Sequence, residues 1–197
     1  MKKYKLTSET TGCDGFILYR IEALMDFSDV KTGDKGGFVQ SENNLSQLGN
    51  AWVYGNAKVC GKAEVRGDAN VCGNAEVYNY AEVFENAEVY DNAKVYGNAK
   101  VYENAEVYDN AEVFDYAEVR GDAKVYKNSD YIVFKNWWSS GRYFTWTRSN
   151  KMWKVGCFYG NGKELIKKAY ADSEESGREY ERVVKYVESI LADELNR

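Results

Sequence analysis

The 197-residue chain contains no histidine and no proline. Without histidine it lacks the side chain that most often serves as a general base near neutral pH, and it lacks imidazole ligands for zinc; carboxylate, tyrosine and cysteine chemistry stay open. Cysteine is sparse. Cys13, Cys60, Cys72 and Cys157 form neither a C-x-x-C pair nor a zinc-ligand spacing, and no metal site or cofactor is expected. Free thiols, together with the lack of an apolar signal segment after Met1-Lys2-Lys3, point to a reducing cytoplasm. No stretch is long and apolar enough to span a membrane as a helix, so no membrane partner is expected. A glycine-rich phosphate loop ending in Lys-Ser/Thr is also missing, which leaves nucleotide hydrolysis without support.

What the chain does have is a repeat. From Gly49 to Asn128 a six-residue unit close to Gly-Asn-Ala-x-Val-Tyr recurs without insertion or deletion. Ala stands at every sixth position from Ala51 to Ala123, and Val follows two residues after each, from Val53 to Val125. A separation of two places both on one face of a strand. The residue between them and the aromatic after Val then point outward, and the next two, mostly Gly, Asp, Glu or Asn, suit a tight turn with left-handed backbone. A helix would need apolar spacing near 3.6, and a sandwich strand would not turn every six residues. Stacked rungs burying a continuous Ala/Val column fit the period.

This repeat resembles the hexapeptide-repeat family, whose left-handed parallel β-helix is a three-sided prism with about eighteen residues per turn. The resemblance covers residues 49–128 and implies a mainly β fold. It departs from the family's usual pattern by placing Tyr, Phe, Cys or Arg after the aliphatic residue. Acyltransferases of the family rely on a histidine base and its carbonic anhydrases on three zinc-binding histidines; this chain offers neither, and its unbroken repeat lacks the loop insertions that shape their clefts. An enzyme is therefore not expected, with an atypical hexapeptide transferase as the distant alternative.

Residues one turn apart should stack into outward ladders. One is Lys58, Glu76, Lys94, Glu112, whose alternating charge would fix register. Aromatic columns run through Tyr54, Cys72, Tyr90, Tyr108 and Tyr126, through Cys60, Tyr78, Tyr96 and Phe114, and through Arg66, Phe84, Tyr102 and Arg120. Stacked rings shield the sheet hydrogen bonds; the alternative is an interface, in which Tyr54, Tyr78, Tyr90, Tyr96, Tyr108 and Phe114 join copies into a homo-oligomer, a trimer being favoured. Cys60 and Cys72 fall on different faces and make poor disulfide partners. The repeat holds fourteen acidic against eight basic residues, which leaves open a DNA-mimic or a protein-protein inhibitor that uses the acidic or aromatic faces against a host protein.

Three segments are expected: an N-terminal cap with irregular starting coils at 1–48, the β-helix at 49–130 and a small C-terminal α+β module at 131–197. Val39 and Leu45 keep the phase of the repeat, Gly33, Gly36 and Gly37 read as turns, and Tyr4 to Ile21 as capping strands. In the module, 131–135, 142–147 and 152–158 read as strands and 163–170 as a helix. A last helix is expected to begin at a capping box of Ser176 with Glu179, with an apolar stripe at Tyr180, Val183, Val184, Val187, Ile190, Leu191 and Leu195. Asp29 to Phe38 with Asn44-Leu45-Ser46, and the layout of the module, resemble repeat arrays encoded by phages and prophages, which implies an accessory protein in a bacterial host cytoplasm.

Residues 131–170 carry eight Lys/Arg and one acid, Glu164, in an otherwise acidic protein. Tryptophan and tyrosine are interleaved with them. Cations beside flat rings suit a phosphorylated ligand with a planar base, so Trp137, Trp138, Arg142, Tyr143, Trp146, Arg148, Lys151 and Trp153 are the candidate ligand-binding residues, for example for a nucleotide immune signal. The competing reading makes the tryptophans core and cap, with the lysines lying along the surface.

Overall fold

A computed structural model describes residues 2–195, without the side chain of Leu195. Strands β1 (Tyr4–Cys13), β2 (Phe16–Ala23) and β3 (Lys35–Val39) precede thirteen two-residue strands, β4 to β16, which recur every six residues from Trp52–Val53 to Lys124–Val125. They form three flat faces. The first holds β1-β2-β3-β5-β8-β11-β14, the second β16-β13-β10-β7-β4 and the third β15-β12-β9-β6. The result is a parallel β-solenoid built from hexapeptide repeats, as the six-residue period requires.

Each hexad takes this shape because Ala and Val leave water together while the corner turns sharply. Every repeat Ala and Val is fully buried in one continuous core. Val59, Val77, Val95 and Val113 stack in register on the first face, where Lys94 N donates to Ala111 O at 2.9 Å and Tyr96 N to Val113 O at 3.0 Å. The first corner residue is left-handed from Gly49 to Gly121: Gly67 has φ +72° and Glu85, one turn on, φ 60°. A Cβ on Gly67 would lie 2.9 Å from Glu85 N, so glycine suits that corner best. Glu85 tolerates the strained backbone with its carboxylate accepting from Glu103 N at 3.0 Å.

The ladders form with one exception. Tyr78 stacks on Tyr96 at 4.9 Å, Tyr96 on Phe114 at 5.3 Å and Tyr90 on Tyr108 at 4.9 Å. Arg66 and Arg120 bracket Phe84 and Tyr102 in the third column. In the charged ladder Lys58 reaches Glu76 at 3.1 Å, whereas Lys94 makes no ion pair among the described residues, so the register there rests on backbone bonds.

Because backbone N–H groups point toward the next coil, the first coil is left with open carbonyls and the last with open N–H groups. The chain supplies donors at one end and acceptors at the other. Lys3 Nζ donates to Ala51 O at 2.8 Å, Asn44 Nδ2 to Ala63 O at 2.9 Å and Arg20 Nη1 to Gly55 O at 3.0 Å. Burial lowers the Lys3 ammonium to about 8, against an opposing pull from Asp68. At the far end each face ends on one side-chain oxygen: Asn128 accepts from Glu112 N at 2.8 Å, Thr145 from Glu118 N at 2.9 Å and Ser149 from Lys124 N at 2.7 Å. Thr145 is buried. Thr145→Val keeps its shape but leaves the Glu118 N–H unpaired, and denaturant unfolding is expected to show a loss of about 1–3 kcal/mol; an unchanged midpoint would contradict this capping role.

Val39 pairs with Val59 and Leu45 bridges to Val65, so both keep the phase of the repeat. Three expectations at this end are corrected. Gly36 and Gly37 are not turns; they lie in β3, where a Cβ would come within 2.5 Å of Val53 O and 2.6 Å of Ala57 O respectively. Trp52 is not outward: at 1% exposure it plugs the end of the prism. Tyr4 and Phe27 meet it edge-on at 6.0 and 5.3 Å.

The C-terminal part has four strands, β17 (Tyr131–Lys135), β18 (Tyr143–Thr147), β19 (Met152–Val155) and β20 (Phe158–Gly160), antiparallel in that order. The single strand expected over 152–158 splits at Gly156, whose φ of +54° turns the chain. Helix α1 (Gly162–Asp172) is capped by Asn161, and α2 (Glu174–Leu195) begins two residues before the expected Ser176. The capping box is not there: Ser173 Oγ accepts from Ser176 N at 3.1 Å, and Glu179 pairs with Arg182. Val183, Val184 and Val187 pack with Phe144, Trp146, Trp153 and Leu165 in a second core, flanked by Tyr180 and Leu191. Ile190 is half-buried, and the Leu195 side chain lies outside the described residues.

Candidate binding groove

The second corner residue of the repeat is Asn or Asp at most positions, and the structure shows why. Asn74 donates to Asn92 at 3.2 Å, Asn86 to Asn104 at 3.2 Å and Asn104 to Asp122 at 3.1 Å, forming amide ladders along two edges of the prism. Between Asn50 and Asn128 this position departs from Asn or Asp at Lys62, Tyr80 and Tyr116 only. With Asn98 these three form one column, eighteen residues apart, on the edge between the first and third faces. Lys62 Nζ lies 5.1 Å from the Tyr80 ring centre, and both Tyr80 and Tyr116 are exposed.

This edge borders a groove of about 760 Å³. Its floor is the third face, with Glu64, Arg66, Glu82, Lys100 and Glu118. The far wall comes from the C-terminal sheet, which lays Arg142, Tyr143 and Gly156 over the last coil. Tyr143 stacks on Tyr116 at 4.3 Å and 13°, continuing the ring column from one segment into the other. The sheet is held there by Thr145 on Glu118 N and by Lys154, whose ammonium meets Glu118 at 3.0 Å. Gly156 turns beside Arg142 with a φ of +54°, and a Cβ there would make only ordinary contact, 3.5 Å from Arg142 Nη1.

The floor is neutralised from within. Glu82 lies between Lys100 at 2.7 Å and Arg66 at 3.1 Å; burial pulls its carboxyl up, but those bonds outweigh it and hold it below the ordinary carboxylate range. Tyr102 donates to Glu118 at 3.1 Å. Lys62 and Arg142 make no ion pair among the described residues; both line the groove, Lys62 three coils before Tyr116 along the edge and Arg142 next to the Tyr143 that stacks on Tyr116. Either cation can meet an anionic group in the groove without giving up an ion pair.

Of the residues singled out in the sequence, Arg142 and Tyr143 line this groove. The others are dispersed. Trp146 and Trp153 face each other across β18 and β19 and are 3% and 2% exposed beneath α1 and α2, so their rings are committed to the core. Trp138 is half-buried against Phe144 and Tyr180. Trp137 is exposed, at 4.9 Å from Trp138. Arg148 pairs with Glu194 at 2.6 Å on another side of the module, and Lys151 is exposed in the β18–β19 turn. Alternation along a two-sided sheet divides one basic aromatic segment between core and surface. Lys62, Tyr80 and Tyr116 were legible only as breaks in the Asn column.

The interface candidates hold positions on the first two faces. Tyr54 donates to Asp29 at 2.7 Å, Tyr90 to Glu106 at 3.0 Å and Tyr96 to Glu112 at 3.1 Å. Burial, then these carboxylate bonds, push Tyr90 and Tyr96 above the usual phenol range, and burial pushes Tyr78 up to about 12. A phenol whose folded pKa is raised contributes stability that is intact below its unfolded pKa of about 10 and is lost as pH rises through the folded value. Circular dichroism should therefore hold to about pH 10 and then fall as tyrosinate absorbance rises cooperatively. Tyrosinate appearing at the ordinary phenol pKa with the fold intact would contradict these shifts.

Fold and groove together define a hexapeptide-repeat β-helix protein with an α+β cap over its C-terminal coil. No protein-family model matches the chain. It is similar to an uncharacterized acetyltransferase, YdcK, of Escherichia coli (strain K12), at 39% identity over 27% of this chain and 19% of that protein. The chain thus spans about a fifth of the relative's length. No helix among the described residues is long and apolar enough to cross a membrane.

Proposed function

We propose that this is a non-enzymatic binding protein that holds a small phosphorylated ligand with a planar base, such as a nucleotide, in the groove between the third face and the C-terminal sheet. The observation that carries this reading is the corner column: the repeat gives up its Asn ladder at one edge, and Lys62, Tyr80 and Tyr116 line the same groove there as Arg142 and Tyr143. Rings stack on bases whatever their sequence, and cations neutralise phosphate. The phage-like lead-in and layout support an accessory role, sequestering a phosphorylated signal in the host. In the same reading the aromatic columns are faces for self-association, which sedimentation of the intact protein checks.

Isothermal titration with a panel of mono-, di- and cyclic nucleotides tests the proposal. Heat is expected for at least one member, and Tyr116→Ala combined with Arg142→Ala is expected to weaken it by about tenfold or more. No heat across the panel, or affinity unchanged in the double variant, would sink it.

The name of the E. coli relative favours a second reading, acyl transfer. With no histidine in the chain, the candidate base in the groove is Glu64, since Glu82 and Glu118 are held in ion pairs. Sustained release of free coenzyme A from acetyl-coenzyme A with an amine or hydroxyl acceptor, lost in Glu64→Gln, would replace the binding reading.

A further inference from the structure

We propose that Cys13 and Cys60 form a dithiol oxidation site, closing an intramolecular disulfide that ties the N-terminal hairpin to the first coils of the prism. The two residues are far apart in sequence but meet in the fold, with Cys60 Sγ donating to Cys13 Sγ at 3.5 Å. Cys60 follows β5 (Lys58–Val59) on the first face and is fully buried. Cys13 ends β1 at the tip of the hairpin, where Asp14 and Gly15 turn the chain with φ of 49° and 79°. The sulfurs share a small apolar cluster with Leu18, Phe38 and Tyr78. A disulfide needs them at roughly 2 Å, so about 1.5 Å must be closed. The mobile partner is the hairpin side: β1 is an edge strand, and its pairing with β2 is irregular between Leu6 and Thr10.

The two thiols differ in the way such a reaction requires. Cys13 is half-exposed, so an external oxidant reaches it first. The hydrogen bond from Cys60 stabilises the Cys13 thiolate and lowers its pKa, while the same bond and burial push the Cys60 thiol up. The oxidant is a low-molecular-weight disulfide. The Cys13 thiolate attacks one of its sulfurs, forming a mixed disulfide and expelling one thiolate; the Cys60 sulfur then attacks Cys13 Sγ, expelling the second. The two protons lost by the protein go to the two thiols released. Cys72, on the second face, and the exposed Cys157 have no cysteine neighbour among the described residues and serve as internal controls.

Intact protein incubated in glutathione redox buffers and mapped by non-reducing peptide mass spectrometry tests this. The expected product is a cross-linked peptide pair containing Cys13 and Cys60, two hydrogens lighter than the reduced pair, with a raised melting temperature that returns on reduction. Cys60→Ala should stop at a glutathione adduct on Cys13, and Cys13→Ser, at the hairpin tip, should leave Cys60 reduced. A stable Cys13 adduct in the unmodified sequence with Cys60 free, a cross-link to Cys72 or Cys157 instead, or no oxidation of either thiol in strongly oxidising buffer would overturn the proposal.

Discussion

Val95→Asp is expected to abolish cooperative folding. Val95 is fully buried on the first face between Val77 and Val113, inside a core cluster of hydrophobic side chains. Burying an unpaired carboxylate costs several kcal/mol even after relaxation, comparable with the whole stability of a typical domain at about 5–15 kcal/mol. A repeat contacts mainly its neighbours, so one failed coil separates the prism into two short stacks with new open ends. Loss of the thermal transition or aggregation on expression is the expected outcome. Lys94→Ala, one residue away but outward and without an ion pair among the described residues, serves as the control and should change stability by less than about 0.5 kcal/mol. An unchanged melting temperature for Val95→Asp would contradict the assignment of the Ala/Val column.

Trp153→Ala is expected to cost about 3–5 kcal/mol, the range for deleting a large buried aromatic, and to act on one part of the molecule. Trp153 packs against Phe134 and Phe144, both at 6.5 Å, inside a core distinct from that of the prism. Hydrogen exchange should therefore accelerate across residues 131–195 while the middle coils, residues 57–113, stay protected. The groove should go with the module, because Arg142 and Tyr143 belong to it. Uniform acceleration, or none, would show that the two cores do not behave separately.

Both predictions depend on features that local pattern determines to different degrees. The Ala/Val column is local: two residues apart means one face, six means the next coil, eighteen means the rung above. Hence Tyr78 over Tyr96 and Arg66 over Phe84 could be placed from spacing alone. Trp52 occupies an outward position of the same pattern, yet it is buried, because Tyr4 and Phe27 come from outside the repeat to cover it. Long-range placement likewise decides the groove. Spacing puts Lys62, Tyr80 and Tyr116 on one edge, but only the docking of the C-terminal sheet brings Tyr143 onto Tyr116 and Arg142 into the same groove. Trp146 and Trp153 illustrate the reverse. Cations beside tryptophans look alike in sequence whether the rings face a ligand or a helix, and the strand alternation that decides this depends on which face α1 and α2 cover.

In the proposed function the repeat is a rigid support and the ligand binds where its edge breaks from Asn. Heteronuclear NMR of the intact protein, titrated with nucleotides, tests it most directly. Shift changes confined to Lys62, Tyr80, Tyr116, Arg142, Tyr143 and their neighbours, saturating with ligand, are expected. No perturbation by any nucleotide, or perturbation centred on Trp137 or on the Asn ladders instead, would contradict it.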